Sequence, residues 1–473
     1  MLTACFLILA APAVAFEVHL DPKLAPAKPG RVVVGIARKG ETPDFTNYKP
    51  PALPILGADA AKFPITLDAE TLCFPKDGLK NLPPGEYAVQ AILMANPEIN
   101  LPDAPGNLFC DPVPFRTDSG PIKLTLNRVR KAEAPKDTAT HKYLNIPSKL
   151  LSDFHGRPVS YRVGVVLPKN HANENKSYAI LVDIGGFGTR YTDAAKIGPD
   201  PRFIQIVPDG AGPLGDPYQV NSANNGPYGD ALVNEVIPFI EKTYRGIGTP
   251  KSRFTCGIST GGWVSFALQV FYPERFNGCW SQCPDSVTFE RFELVDLYGD
   301  ANAFVNRFGN ERPSTRTIDG DVVSTLRHEV LLERVLGAGG KWERSGRDWA
   351  SWNAVYGPRG PDGAPVPIWN GQTGAIDKAA LEHWKKYDLK RILDANWKTL
   401  GPKLAGGKVN IWVGDADDYY LNAAVHRLKA ASAKWKDPPF DGRILIELRK
   451  THDYGGWTRK DMLDAMARRA ATE

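Results

Sequence analysis

The sequence predicts an α/β protein: a doubly wound sheet, preceded by a β-sandwich-like domain and interrupted by a lid insertion. Three observations predict it. The first third is Pro-rich and built of short alternating runs. The middle alternates near-continuous apolar runs with helical patterns, as buried parallel strands and their crossovers do. A stretch of about a hundred residues then loses that regularity before strand character returns, and insertions of that size are usually functional. With 473 residues, 42% hydrophobic and 23% charged, the chain is long enough for two domains and can bury a large core.

At the amino end, Leu2 to Ala11 is apolar and is followed by Pro12 and the small-x-small step Ala13-Val14-Ala15. Residues 1–15 therefore read as a secretory signal, too short to span a bilayer, although no Lys or Arg precedes the apolar run. Export to a periplasmic or extracellular setting is the expectation. Residues 16–136 form the sandwich-like domain, with strands expected at Arg31–Ile36, Tyr87–Ile92 and Ile122–Leu126 and turns such as Pro83-Pro84-Gly85. The charged, Pro-bearing stretch Arg130–Pro135 suits a linker. From 145 to 473 the α/β domain follows, with strands at Tyr161–Leu167, Tyr178–Ile184, Phe203–Val207, Val409–Val413 and Ile444–Leu448, and a helix from Ala231 to Tyr244. Residues 289–400 are the lid. Trp349, Trp352, Trp369 and Trp384 within it suit packing, or the lining of an aromatic or sugar-binding cleft.

Composition excludes several classes. A formal charge of +5 spread along the chain lacks the basic face that nucleic acids require. No later segment is apolar enough to cross a membrane. Six Cys are present; Cys5 leaves with the signal, Cys73 and Cys110 could bridge in an oxidising compartment, and Cys256 reads as a small buried hydrophobe. No Cys or His spacing suits a metal. His328-Glu329 begins like a zinc helix, but Leu332 stands where its second His belongs.

The strongest local signal is Gly257-Ile258-Ser259-Thr260-Gly261-Gly262. A serine hydroxyl is a weak nucleophile until a base takes its proton and the backbone presents it. Here a strand-like run, Ser252–Cys256, precedes the motif, and helix-compatible Trp263–Gln269 follows, which is the strand, elbow and helix that the motif requires. Ser259 is the candidate nucleophile. The bland alternative is a Gly-rich turn with Ser259 as a helix cap. In this arrangement an acid and then a His follow the nucleophile in the chain. His452, in the loop after the strand Ile444–Leu448, is the candidate base. The acid should follow Val409–Val413, where Asp415, Asp417 and Asp418 all qualify. The backbone N–H of Thr260, with that of Gly186 or Phe187 in Asp183-Ile184-Gly185-Gly186-Phe187-Gly188, would form an oxyanion hole.

At these residues the chain resembles the putative esterase family of the α/β-hydrolase superfamily, related to esterase D and feruloyl esterases. Over about residues 145 to 460, Asn221–Ala231 with Asn234–Pro238 looks like the segment before the family's nucleophile strand, and Tyr272–Phe276 like its helix exit. The resemblance implies an acid in a Gly-x-x-Asp step, which Gly414 and Asp417 match, and a His where His452 stands. Thr260 replaces the family's Met or Leu, and neither the sandwich nor the Trp-rich insertion belongs to its compact members. The implied activity is hydrolysis of carboxylic esters through an acyl-enzyme, with no metal or organic cofactor. Small-molecule or polysaccharide-linked esters are the expected substrates. Acyl transfer or peptide cleavage on the same three residues, and an exported carbohydrate- or surface-binding protein on an inactive scaffold, are the alternatives.

Overall fold

The structure, a computed structural model, describes residues 14–24, 29–132, 135–453 and 455–471. Residues 1–13, most of the expected signal segment and Cys5 with them, lie outside the described residues. The chain divides into two compact units: residues up to 132 with 328–345, and residues 133–327 with 346–473.

In the first unit, a three-stranded sheet runs in the order Ile65–Leu67, Phe16–Leu20, Ile122–Leu126. A larger sheet centres on Gly30–Arg38, flanked antiparallel by Ile55–Ala60 and Glu86–Met94. Phe16, Val18, Val32, Val34, Val89, Leu93, Leu124 and Leu126 share one buried cluster drawn from both sheets. The strand Gly30–Arg38 is buried at seven consecutive positions, without the alternation of a strand open to water on one side. Its second face explains this: Val33, Ile92 and Phe109 pack against Leu332, Val335 and Leu336 of the helix Leu326–Leu336.

Residues 328–345, inside the stretch expected to form a lid, therefore belong to the first unit. An amphipathic helix must bury its apolar stripe, and this sheet offers a complementary face. Gly57 permits the approach, because a Cβ there would sit 2.0 Å from the Val335 carbonyl oxygen. Arg31 closes the helix end, donating from Nε to Val335 O at 2.9 Å and from its guanidinium to Arg334 O at 3.3 Å. His328 contacts the Tyr48 carbonyl through Nε2 at 3.2 Å. Cys73 and Cys110, considered above as a bridge, are both free, buried thiols.

The second unit holds an eight-stranded sheet in the order His141–Pro147, Ser160–Val166, Phe203–Pro208, Ala179–Ile184, Arg253–Ile258, Cys279–Gln282, Val409–Gly414, Arg443–Glu447. Only Ser160–Val166 runs against the others. The sheet is mixed, parallel except at that one strand. The strands Phe203–Pro208, Arg253–Ile258, Cys279–Gln282 and Val409–Gly414 are buried throughout, which accounts for their unbroken apolar character. Helix Thr260–Phe271 follows the central strand, and Leu389–Leu404 is the crossover into Val409–Gly414. That crossover takes the last residues of the expected lid into the regular fold. Between lie a ribbon, Pro313–Arg316 with Val322–Thr325, and the buried helix Asp348–Tyr356. The four lid tryptophans are buried, and Phe292 meets each of them within 6.3 Å.

Candidate active site

Ser259 stands between the strand Arg253–Ile258 and the helix Thr260–Phe271 with φ 57° and ψ −122°. A non-glycine residue at positive φ outside the left-handed helical well is strained, and such strain collects at functional sites. The turn is that tight because strand and helix meet almost without clearance. A Cβ on Gly261 would fall 1.9 Å from the Ile184 carbonyl oxygen, and one on Gly257 would fall 2.4 Å from it. The Ser259 carbonyl accepts the first helical bond from Trp263 N at 3.0 Å. Thr260 N opens the helix, where amides lack intrahelical partners and the dipole favours negative charge.

The turn after Ala179–Ile184 brings Gly186 alongside; a Cβ there would lie 3.7 Å from the Ser259 Cβ. Thr189 N closes that turn on Gly186 O at 3.1 Å. Phe187, the next residue, lies under the Arg347 guanidinium at 5.3 Å. Gly186 and Thr260 thus come from two of the chain segments that border Ser259, and Phe187 follows Gly186.

The three candidate acids part company in space. Asp417 is fully buried, and its Oδ2 meets His452 Nδ1 at 2.8 Å. Its Oδ1 accepts the backbone N–H of Tyr419 at 3.0 Å and of Leu421 at 3.2 Å. Asp418 accepts instead the main-chain N–H of His452 at 3.4 Å, and Asp415 that of Arg449 at 2.6 Å. Gly414 lets the two loops converge, because a Cβ there would sit 2.1 Å from Lys450 O. Arg316, unnoticed in the sequence, braces the acid loop by donating to the carbonyls of Asp417 at 3.0 Å and Asp415 at 3.1 Å.

Burial pulls the His452 imidazolium toward lower pKa, but the Asp417 hydrogen bond and the charges of Asp417, Asp285 and Asp418 outweigh it and hold the pKa above the usual value. The tyrosine ring of Tyr419 packs edge-on at 4.9 Å. Cys283 Sγ, an Asp417 oxygen and a His452 nitrogen lie within 4.8 Å of one another. That set is poorly matched to a metal. Its carboxylate and imidazole already engage each other, and burial raises the thiol pKa, opposing the thiolate a soft cation needs.

No hydrogen bond joins Ser259 to His452. The hydroxyl is directed to Asp285 Oδ1 at 3.4 Å, a contact that sequence reading missed. Asp285 follows the strand Cys279–Gln282, beside the strand that leads into Ser259, and its place at a strand's carboxyl end was the available signal.

No protein-family model matches the chain. No curated protein matches it either. The solved structures similar to it include esterases and peptidases. A ferulic acid esterase superposes with TM-score 0.39 at 13% identity, covering 70% of this chain and 96% of its own. An S-formylglutathione hydrolase from Agrobacterium tumefaciens gives 0.39 at 14%, covering 71% and 97%. A putative dipeptidyl aminopeptidase IV from Bacteroides ovatus gives 0.38 at 12%, covering 88% of this chain and 47% of its own. Likeness at this level leaves the chemistry to the residues themselves.

Proposed function

We propose that this chain is a serine hydrolase that cleaves carboxylic esters through an acyl-enzyme. The observation that carries the reading is the strained Ser259 elbow on the same sheet edge as the buried Asp417 and its partner His452. The reading requires the Ser259 hydroxyl to leave Asp285 for His452, through a change between staggered χ1 wells. Ser259 Oγ then bonds to the ester carbonyl carbon while its proton passes to the imidazole, and the carbonyl π pair moves onto oxygen. Amides of Thr260 and of Gly186 or Phe187 receive that oxyanion. Collapse expels the alcohol, which takes the proton from the imidazolium; water repeats the sequence and releases the acid. Asp417 fixes the tautomer with Nδ1 protonated and favours the transient imidazolium.

Small-molecule or polysaccharide-linked esters suit the reading, and the leader-like first fifteen residues suit an exported setting. Among the described residues, no helix is long and apolar enough to cross a membrane. Labelling by a fluorophosphonate, and hydrolysis of p-nitrophenyl and feruloyl esters, test the reading directly. Wild type should label and turn over, and Ser259→Ala should do neither. The observed Ser259–Asp285 contact favours one rival, a binding protein on an inactive scaffold, and folded wild type that refuses the label would establish it.

A further inference from the structure

Asp285 takes no part in the steps above, yet its carboxylate faces the Ser259 hydroxyl. It is 2% exposed. Its Oδ2 accepts the Tyr218 hydroxyl at 2.6 Å and the Trp352 indole N–H at 3.0 Å, and both donors are buried. Its backbone N–H donates to Ser259 O at 3.3 Å, and its Oδ1 faces Ser259 Oγ at 3.4 Å. Two donors on one oxygen and a backbone tie leave the other oxygen aimed at the nucleophile. Tyr218 also meets Thr260 Oγ1 at 3.1 Å, so the same network reaches the start of the helix.

A fixed anion here has one useful sign. It opposes charge on the oxyanion side of the reaction and favours a cation on the imidazole. We propose that Asp285 is a positioning residue that accepts the resting Ser259 hydroxyl and, through its charge, makes His452 a stronger base than Asp417 alone would. This rests on the Ser259–His452 reading given above.

The surrounding charges bear on the sign. His452 is faced by Asp417, Asp418, Asp285, the Cys283 thiol and the Tyr419 ring. Asp285 is faced by Ser259, Tyr218 and Trp352, and it interacts with His452, Asp348, Asp216 and Tyr356. Burial pushes the Asp285 carboxyl up to about 6, against the Tyr218 and Trp352 bonds and the His452 charge, which lower it. It is therefore anionic above neutrality, where a histidine base works.

The test reads His452 without relying on turnover. In full-length Ser259→Ala protein, the His452 imidazole is titrated by NMR, with His452→Gln assigning its resonance, and the titration is repeated with Asp285→Asn added. The midpoint should move about one pH unit toward acid. In the Ser259 background, Asp285→Asn should shift the acid limb of kcat/KM the same way and lower its plateau about tenfold, while Asp285→Glu keeps the limb in place. A His452 midpoint that stays put in folded Asp285→Asn overturns the inference. So does a variant that only raises KM for cationic esters, which would make Asp285 a substrate contact. A midpoint that moves in a protein with no hydrolytic activity supports Asp285's role and sinks the hydrolase reading instead.

Discussion

Asp415, Asp417 and Asp418 illustrate how little separates a candidate catalytic carboxylate from its neighbours. All three follow one strand, and all three accept a hydrogen bond, but only Asp417 reaches an imidazole nitrogen. Its other oxygen is tied by two backbone amides, so the carboxylate cannot swing out of line. Asp417→Asn should therefore cost kcat on the order of 10⁴-fold, because the amide favours the wrong tautomer. Asp415→Asn and Asp418→Asn, whose partners are backbone amides, should cost far less. Steady-state kinetics on one ester across the three variants decides the order. The pH dependence has a definite sign as well. A general base works neutral, so kcat/KM rises with pH through the pKa of His452. Burial lowers that pKa, but the Asp417 bond and three carboxylate charges raise it further, so the midpoint of the rise should lie above about 6.5. A rise centred below that value would mean that the carboxylates do not dominate the imidazole.

The elbow depends on glycines more than on the serine it presents. Strand Arg253–Ile258 and helix Thr260–Phe271 close on Ile184 O so tightly that Gly261→Ala places a methyl inside a backbone atom. Overpacking of this kind costs about 3 kcal/mol or more. Circular dichroism should record a thermal transition lowered by on the order of 5–10 °C, and fluorophosphonate labelling should fall with it. Ser265→Ala, further along the same helix, should leave the labelling intact. This element was legible in the sequence, because Gly257, Ser259 and Gly261 sit together and the strand and helix flank them. The choice among three acids was not legible from local pattern, since it depends on how the turn after Gly414 meets Lys450. Asp285 was hidden for a related reason. Its partners Tyr218 and Trp352 each lie 67 residues away in the chain, in opposite directions, and only the folded sheet assembles them. The helix Leu326–Leu336 lay in the stretch read as a lid, and an amphipathic stripe does not say which apolar face receives it.

That last ambiguity has a consequence for how the chain can be divided. The first unit is discontinuous: eighteen residues, 328–345, return to it from within the second. Leu332, Val335 and Leu336 are at most 2% exposed, and their cluster partners Val33, Ile55, Phe74, Ile92 and Phe109 all come from the first 132 residues. A fragment beginning at residue 133 keeps the eight-stranded sheet and every candidate catalytic residue, yet strands those three apolar side chains without partners. Exposed apolar patches of that kind promote association. The fragment 133–473 should accordingly aggregate on size-exclusion chromatography. Replacing residues 328–345 in it with an equally long Gly/Ser segment, which behaves as flexible coil, should restore a monodisperse peak. In the intact chain, Val335→Ala should lower the stability of the first unit by about 1–3 kcal/mol in denaturant unfolding. Monodisperse behaviour of the unmodified fragment would mean that the helix finds another cover, and the assignment of residues 328–345 to the first unit would then lose its energetic basis.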